Sequence, residues 1–142
     1  MGFLETLMRR NENKESAENT SNSPFRMNLS FSPLRLSAMK DNKVNMIIKI
    51  TNLTKEPQLV SLDANLQNRM LIGFEPTCIH KTNEKKVGEL KPNETREIVI
   101  PIWGTNQTKP GDYTIEVSAY CHYITYEKVV SYVRKRINLR VV

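Results

Sequence analysis

Two cysteines and two histidines are the residues of this chain that could ligate a transition metal. They occur as Cys78-x-His80 and as the adjacent pair Cys121-His122, and two thiolates with two imidazoles form a common type of zinc site. Neighbouring residues on a strand point to opposite faces of the sheet, so Cys121 and His122 would need a bulge to reach one ion. We therefore predict no metal and no other cofactor, and we interpret both cysteines as buried thiols.

Catalytic motifs would be the other source of chemistry. The sequence contains no G-x-S-x-G, no H-E-x-x-H and no phosphate-binding glycine loop. With two histidines and five glycines in 142 residues, it offers few groups that could converge as acid, base and nucleophile. The sequence predicts a protein that is not an enzyme.

A row of arginines near the C-terminal end is a candidate anion-binding site. Arg134, Arg136 and Arg140 share one face of a predicted strand, with neighbouring positions on that face about 6.6 Å apart. They could bind phosphates or an acidic partner, or they could simply block pairing between sheets. Aromatic residues could add stacking surfaces, but aromatic residues in strands usually pack; they are Trp103, Tyr120, Tyr123, Tyr126 and Tyr132.

The first ten residues, MGFLETLMRR, form a candidate anchor. As a short helix they would carry an apolar stripe with two arginines near the polar side, and such a short helix needs a surface to complete it. The sandwich itself, a partner groove or an anionic membrane could supply that surface. The residues of this anchor are Phe3, Leu4, Leu7, Met8, Arg9 and Arg10.

Length and charge limit the remaining possibilities. The chain of 142 residues fits one domain, and it contains no apolar run near the roughly 18 residues of a membrane span. Glu5 interrupts the first apolar residues and the arginines follow them, which is the wrong order for an export signal. We therefore expect a cytoplasmic protein, peripheral to the membrane if the anchor binds lipid.

The elements that would position these residues are strands. Residues 11–25 are almost entirely polar and predict a flexible linker, whereas residues 26–142 show apolar residues at every second position, which is typical of strands with one buried face. The folded part holds eighteen basic and eleven acidic residues, within a net charge of +6 for the chain. The predicted inward residues include Met27, Leu29, Phe31, Val44, Met46, Ile48, Ile50, Val60, Leu62, Ala64, Leu66, Ile98, Ile100, Ile102, Tyr113, Ile115, Val117, Ala119, Cys121, Val133, Ile137, Leu139 and Val141.

Turn signals separate the predicted strands. The stretch TNLTKEP between residues 51 and 57 predicts a β-hairpin joining the strands on either side. The stretch EPTCIHKTNEKK, residues 75–86, predicts an irregular loop, and KPNE and KPGD predict tight turns at residues 91–94 and 109–112. Seven or eight short strands without helices between them predict an all-β fold, an immunoglobulin-like antiparallel β-sandwich.

Three stretches of the chain resemble a known family. Residues 44–66, 87–103 and 109–120 are similar to the immunoglobulin-like modules of the CARDB type and to the α-galactosidase-associated module, which occur in archaeal and bacterial proteins. The matching positions in the two later stretches are Leu90, Pro92, Glu94 and Thr95, and Pro110, Gly111 and Tyr113. The resemblance covers residues 27–142 and implies a sandwich without catalytic residues; it does not imply a ligand.

Three functions follow from these observations, in order of preference. The first is a non-enzymatic binding or scaffolding module for another protein. The second is a peripheral membrane protein held by residues 1–10 and by the basic surface. The third is nucleic-acid binding through the basic C-terminal strand. The sequence leaves the partner and the oligomeric state open.

Overall fold

The computed structural model describes residues 23–67, 69 and 71–142, and all regular structure in this part of the chain is β. The predicted helix of residues 1–10 and most of the predicted linker lie outside the described residues. The strands are β1 (Phe25–Ser32), β2 (Arg35–Leu36), β3 (Asn42–Asn52), β4 (Gln58–Asn65), β5 (Ile72–Gly73), β6 (Thr82–Leu90), β7 (Thr95–Gly104), β8 (Gly111–His122) and β9 (Val129–Val141).

The strands form two sheets that pack face to face. One sheet has four strands in the order β1-β3-β7-β5, and the other has five in the order β2-β9-β8-β4-β6. All pairs are antiparallel except β2 with β9, which is parallel. The predicted immunoglobulin-like sandwich is thus confirmed. The described residues contain nine strands, one more than the upper end of the predicted seven or eight, and the shortest are β2 and β5 with two residues each.

Alternation along the strands places the core between the sheets, as predicted. On β3 the side chains of Val44, Met46, Ile48 and Ile50 are all buried, and the residues between them face outward because successive side chains alternate. The same pattern holds on the predicted inward positions of β4 and β8. Burial of these aliphatic side chains stabilises the fold by roughly 1.5–3 kcal/mol each.

The predicted hairpin between β3 and β4 is wrong. β3 belongs to the four-stranded sheet and β4 to the five-stranded sheet, so residues 53–57 carry the chain across the sandwich. Asn52 makes this crossing possible: its buried Nδ2 donates hydrogen bonds to the carbonyl oxygens of Glu56 and Leu90, both at 2.9 Å. Its Oδ1 accepts from the backbone N–H of Thr54 at 2.8 Å. A turn signal predicts that the chain reverses, but it does not say which strand it then pairs with.

The predicted irregular loop of residues 75–86 is only partly correct, because its last five residues belong to β6. β6 is an edge strand whose first five residues are largely exposed on both faces, so it lacks the alternation that predicts a strand. At the start of the domain, Phe25 is 1% exposed and pairs with Asn52. The first strand therefore begins one residue before the boundary that the sequence indicated.

Lys135 is a charged residue on the apolar side of the β9 alternation, between Val133 and Ile137. In the structure its side chain reaches the edge of the sandwich, where Nζ donates a 2.8 Å hydrogen bond to the carbonyl oxygen of Met27. β1 is an edge strand of its sheet, so this carbonyl would otherwise be open to another chain. A lysine in this position is typical of the devices that prevent edge-to-edge pairing.

Candidate functional site

The predicted arginine row lies on the outer face of the five-stranded sheet, opposite acidic and hydroxyl groups of β8. Arg140 Nη1 contacts both carboxylate oxygens of Asp112 at 3.0 Å, and Arg136 Nη2 lies 3.1 Å from Glu116 Oε2. Arg134 Nε donates to Ser118 Oγ at 3.0 Å. Each arginine stands directly across from its partner in the β8–β9 register. Carboxylate and hydroxyl groups of β8 thus contact all three arginines of the row.

The four predicted metal-ligand candidates do not converge. Cys78 Sγ donates to the carbonyl oxygen of Trp103 in the four-stranded sheet at 3.2 Å, whereas Cys121 Sγ donates to Gln58 Oε1 in the five-stranded sheet at 2.7 Å. Both cysteines are free, and burial raises the pKa of both thiols. No group of three or more His, Cys, Asp or Glu side chains within the described ranges could hold a metal ion.

A cavity of about 570 Å³ opens on the outer face of the five-stranded sheet, beside the turn that joins β8 to β9. Outward positions of three neighbouring strands form its floor, since Ser61 of β4 pairs with Tyr120 of β8 and with Lys86 of β6. We call it the tyrosine cavity. It is lined by Ser61, Leu62, Asp63, Glu84, Lys85, Lys86, Tyr120, His122, Tyr126 and Val129.

His122 lies at one end of the tyrosine cavity. Adjacent residues of β8 face opposite sides of the sheet, so Cys121 lies in the core while His122 lines the cavity. His122 is 8% exposed, and its Nε2 is 2.7 Å from Ser61 Oγ. Its buried Nδ1 has no hydrogen-bond partner among the described residues.

The Ser61–His122 contact resembles the nucleophile–base half of a hydrolytic triad, but no described residue supplies the orienting half. In such triads a carboxylate accepts the Nδ1 proton and fixes the imidazole tautomer. Here the nearby carboxylate of Asp63 instead accepts a hydrogen bond from Tyr120 Oη at 3.0 Å. None of the residues that the structure describes therefore holds the His122 ring as the carboxylate of a triad does.

Asp63 is the half-buried carboxylate of the cavity. Burial, the largest influence, raises its pKa above the usual value; the hydrogen bond from Tyr120 lowers it, and the negative charge of Glu84 raises it. Asp63 and Glu84 stand directly opposite each other on β4 and β6. Like charges in this relation destabilise a sheet, whereas Lys85 and Lys86 in the cavity lining and the positive charge of Arg134, which lowers the pKa of Asp63, oppose this effect.

Aromatic rings form the other walls. The His122 and Tyr126 rings meet edge to face with centroids 5.1 Å apart, and the Tyr120 and Tyr132 rings are 6.0 Å apart. The ammonium group of Lys86 lies 5.1 Å from the centroid of the Tyr126 ring, a distance typical of a cation–π contact. The cavity thus already holds one cation of the protein against an aromatic face.

An exposed apolar patch adjoins the cavity at the β8–β9 turn. Five apolar or aromatic residues between positions 123 and 132 are each more than half exposed. We call them the hairpin patch; they are Tyr123, Ile124, Val129, Val130 and Tyr132. Val129 also lines the cavity, so the two surfaces are continuous. Exposed apolar residues are normal when scattered, but a cluster of this kind marks an interaction surface.

Ile124 is the strained residue of the patch. Its φ is 67°, and the backbone N–H of Thr125 donates to the carbonyl oxygen of Tyr123 at 2.6 Å across it. A bond that spans one residue closes a γ-turn, and the form with a positive central φ is rare and strained. For a β-branched residue this conformation is an outlier. Ile124 is also 74% exposed, so neither its backbone nor its side chain is favourable in the isolated domain.

The aromatic residues are the part of the site that the sequence interpretation missed. They were interpreted as packing residues, but Tyr123 and Tyr132 are exposed, and Tyr120 and Tyr126 line the cavity. Their clustering at residues 120–132 was the available signal. The predicted anchor residues 3–10 lie outside the described residues.

The fold has close counterparts among solved structures, although its sequence does not. No protein-family model matches the chain, and no curated protein matches it. The chain is similar to part of the native α-2-macroglobulin of Escherichia coli in a crystal structure spanning domain MG7 to the C-terminus, with a TM-score of 0.55 and 19% identity over 83% of this chain and 16% of that one. A cryo-EM reconstruction of the same protein matches with a TM-score of 0.54 and 20% identity over 84% and 7%.

These likenesses show the immunoglobulin-like sandwich and nothing finer. The chain spans less than a fifth of the length of either α-2-macroglobulin chain, so they carry no activity or partner to it. Within residues 23–67, 69 and 71–142 there is no helix with the length and apolar character needed to cross a bilayer.

Proposed function

We propose that this chain is a non-enzymatic protein-interaction domain that docks a partner polypeptide on the hairpin patch. The observation that carries the proposal is Ile124, which combines a strained backbone with a side chain that is 74% exposed. Strain of this kind persists at functional sites because the surrounding structure enforces it. A partner that covers Ile124 would bury its exposed side chain and gain binding energy from that burial.

The composition of the patch supports a protein partner. Tyrosine is enriched among the residues that carry binding energy at protein interfaces, because it buries a large apolar area and loses little entropy. Tyr123 and Tyr132 flank the aliphatic residues of the patch. The rigid sheet beneath them positions the patch, since β8 and β9 pair along almost their whole lengths.

The remaining chemistry of the site favours binding over catalysis. The Ser61–His122 pair has no carboxylate on Nδ1 among the described residues, and the resemblance to CARDB-type modules implies a sandwich without catalytic residues. Membership of that family is part of this proposal. The arginine row is a weaker candidate for binding, because Asp112 and Glu116 face it.

Site-specific photo-crosslinking tests the proposal. A benzophenone amino acid at position 130 of the full chain, in the cells that naturally produce the protein, should give a discrete adduct with another polypeptide. The same probe at position 79 is the control, because Val130 and Ile79 are 64% and 70% exposed but Ile79 lies away from the patch. The adduct at position 130 should weaken strongly when Ile124→Asn is added.

Two results would contradict the proposal. The first is the absence of any polypeptide adduct at position 130. The second is an adduct pattern that is the same at positions 130 and 79 and insensitive to Ile124→Asn. Either result would mean that the exposed apolar residues of the turn do not dock a protein.

A further inference from the structure

The tyrosine cavity adjoins the hairpin patch and has a chemistry of its own. Two carboxylates, Asp63 and Glu84, stand opposite each other across β4 and β6, and Lys85 and Lys86 line the same cavity. The rings of Tyr120, His122 and Tyr126 line the same space. Carboxylates beside aromatic faces are the groups that bind organic cations.

We propose that the tyrosine cavity binds a basic side chain, arginine or lysine, of the partner polypeptide that docks on the hairpin patch. This inference rests on the proposed function, and it names the chemistry that the partner must present. The guanidinium or ammonium group would lie between the two carboxylates, and its aliphatic stem would pack against the rings. The partner's apolar residues would cover Ile124 and its neighbours.

The protein already places one cation in the cavity. Lys86 is exposed on an edge strand, and its ammonium group lies over the Tyr126 ring at 5.1 Å from the centroid. The aromatic wall thus stabilises a cation in this structure. A partner's basic group would enter beside Lys86 or replace it, which makes Lys86 a competitor rather than a ligand.

The second sign of a binding site is His122. Its side chain is more than nine-tenths buried, it lines the cavity, and its Nδ1 has no hydrogen-bond partner among the described residues. Unpaired buried polar atoms are rare in native proteins and require an explanation. A ligand in the cavity, with the water that it orders, would supply the missing partner.

The charged groups inside the cavity, more than the net charge of the chain, determine which charge a ligand must carry. The chain is basic as a whole, with a net charge of +6, but exposed charges more than about 10 Å away are largely screened at physiological salt. Within the cavity, Asp63 is half-buried; burial, the largest influence, and the charge of Glu84 raise its pKa, whereas the hydrogen bond from Tyr120 and the charge of Arg134 lower it. A cation placed between the two carboxylates would offset the repulsion between Asp63 and Glu84.

Titration of the full chain with two matched probes tests the inference. The probes are N-acetyl-arginine methylamide and N-acetyl-citrulline methylamide, which have the same shape but differ in charge. NMR signals of the His122 and Tyr126 rings should shift and saturate with the arginine probe, with an affinity of about millimolar for a ligand of this size. The citrulline probe should bind at least about tenfold more weakly.

Variants then assign the binding to the cavity. Asp63→Asn keeps an acceptor for the Tyr120 hydroxyl and should weaken the arginine probe about tenfold, and Glu84→Gln on the exposed edge strand should weaken it severalfold. Lys86→Met should tighten binding about threefold because it removes the competitor. Asp112→Asn is the matched control: this acid is on the same face but is paired with Arg140 and should change nothing.

Three outcomes would overturn the inference: equal binding of the arginine and citrulline probes, no saturable shift at the two rings, or weaker binding in Lys86→Met, which would indicate an anion site. The proposed function, docking on the hairpin patch, can be refuted independently of the cation site. If Ile124→Asn leaves the crosslink at position 130 intact while Asp63→Asn still abolishes probe binding, the docking proposal is wrong and the cation site remains. The reverse pattern leaves a docking surface without a cation site.

Discussion

Replacing Ile124 by asparagine removes the backbone strain of the hairpin patch and keeps the turn. Ile124 has a φ of 67° at the centre of a γ-turn. Asparagine adopts positive φ far more readily than a β-branched residue, because its short polar side chain forms local hydrogen bonds. The isolated domain should therefore become more stable, although an exposed apolar residue has been replaced by a polar one.

The expected magnitude follows from two opposing contributions. Relief of a left-handed backbone conformation is worth about 1–2 kcal/mol. Ile124 is 74% exposed, so about a quarter of its side-chain burial is lost, which costs about 0.5 kcal/mol of the roughly 2 kcal/mol for complete burial. The net stabilisation is about 0.5–1.5 kcal/mol, or about 2–6 °C in Tm for a domain of this size.

Thermal unfolding of the full chain, followed by circular dichroism or calorimetry, measures this change. Ile79→Asn is the matched control, since Ile79 is 70% exposed and is not among the residues with positive φ. Ile79→Asn should lower the free energy of unfolding by about 0.5 kcal/mol, because it loses side-chain burial and relieves no backbone strain. A lower Tm for Ile124→Asn, or the same change in both variants, would refute the strain argument and with it the main support for docking at the patch.

Three further changes test the fold and its electrostatics. Asn52→Ala leaves the carbonyl groups of Glu56 and Leu90 without their donor, so it should lower the free energy of unfolding in urea by about 2–4 kcal/mol. The control Asn106→Ala removes an exposed side chain and should lower it by less than about 0.5 kcal/mol. Equal losses in the two variants would show that the crossing does not depend on the Asn52 side chain. Glu75 has its pKa lowered to about 2, mainly by the hydrogen bond from the Thr77 hydroxyl; desolvation opposes this shift, and the backbone and side chain of His80 lower the pKa further. Since the folded pKa of Glu75 is below the unfolded value of 4.5, its contribution to stability is present above pH 4.5 and is lost as the pH falls through about 2. Glu75→Gln should therefore reduce the fall of Tm with pH between about 4.5 and 2. The same fall of Tm in the variant and the unchanged protein would contradict the assignment. Gly73→Ala would place a Cβ 2.4 Å from Cys78 Cα and should lower Tm by several degrees; an unchanged Tm would show that the loop moves aside freely.

Local sequence was sufficient for the strands with one buried face. β3 and β8 were predicted from alternation alone, because burial of every second side chain requires an apolar residue at each inward position. Residues 82–86 of β6 were missed because an exposed edge strand imposes no such requirement on its sequence. The partner of β4 was also mispredicted. The crossing that takes β4 to the other sheet involves the hydrogen bond from Asn52 to the carbonyl oxygen of Leu90, 38 residues away, and a local sequence pattern does not contain such a contact.

The candidate site was less accessible to sequence analysis than the fold. The arginine row was placed on the correct strand, but its partners on β8 appear only once the β8–β9 register is known. The tyrosine cavity joins Ser61 to His122 and Asp63 to Tyr120, pairs that are 61 and 57 residues apart. Their residue types did not predict contact, because the side chains meet only through the pairing of three strands.

By itself, the sequence determined that residues 26–142 form an all-β sandwich and which faces of the main strands are buried. Burial is a requirement on each strand separately, so it leaves a local pattern. The tertiary structure alone decided which strands share a sheet, and it thereby placed two carboxylates, a buried histidine and an exposed strained turn side by side. Such a site depends on strand register, and register is a relation between distant parts of the chain.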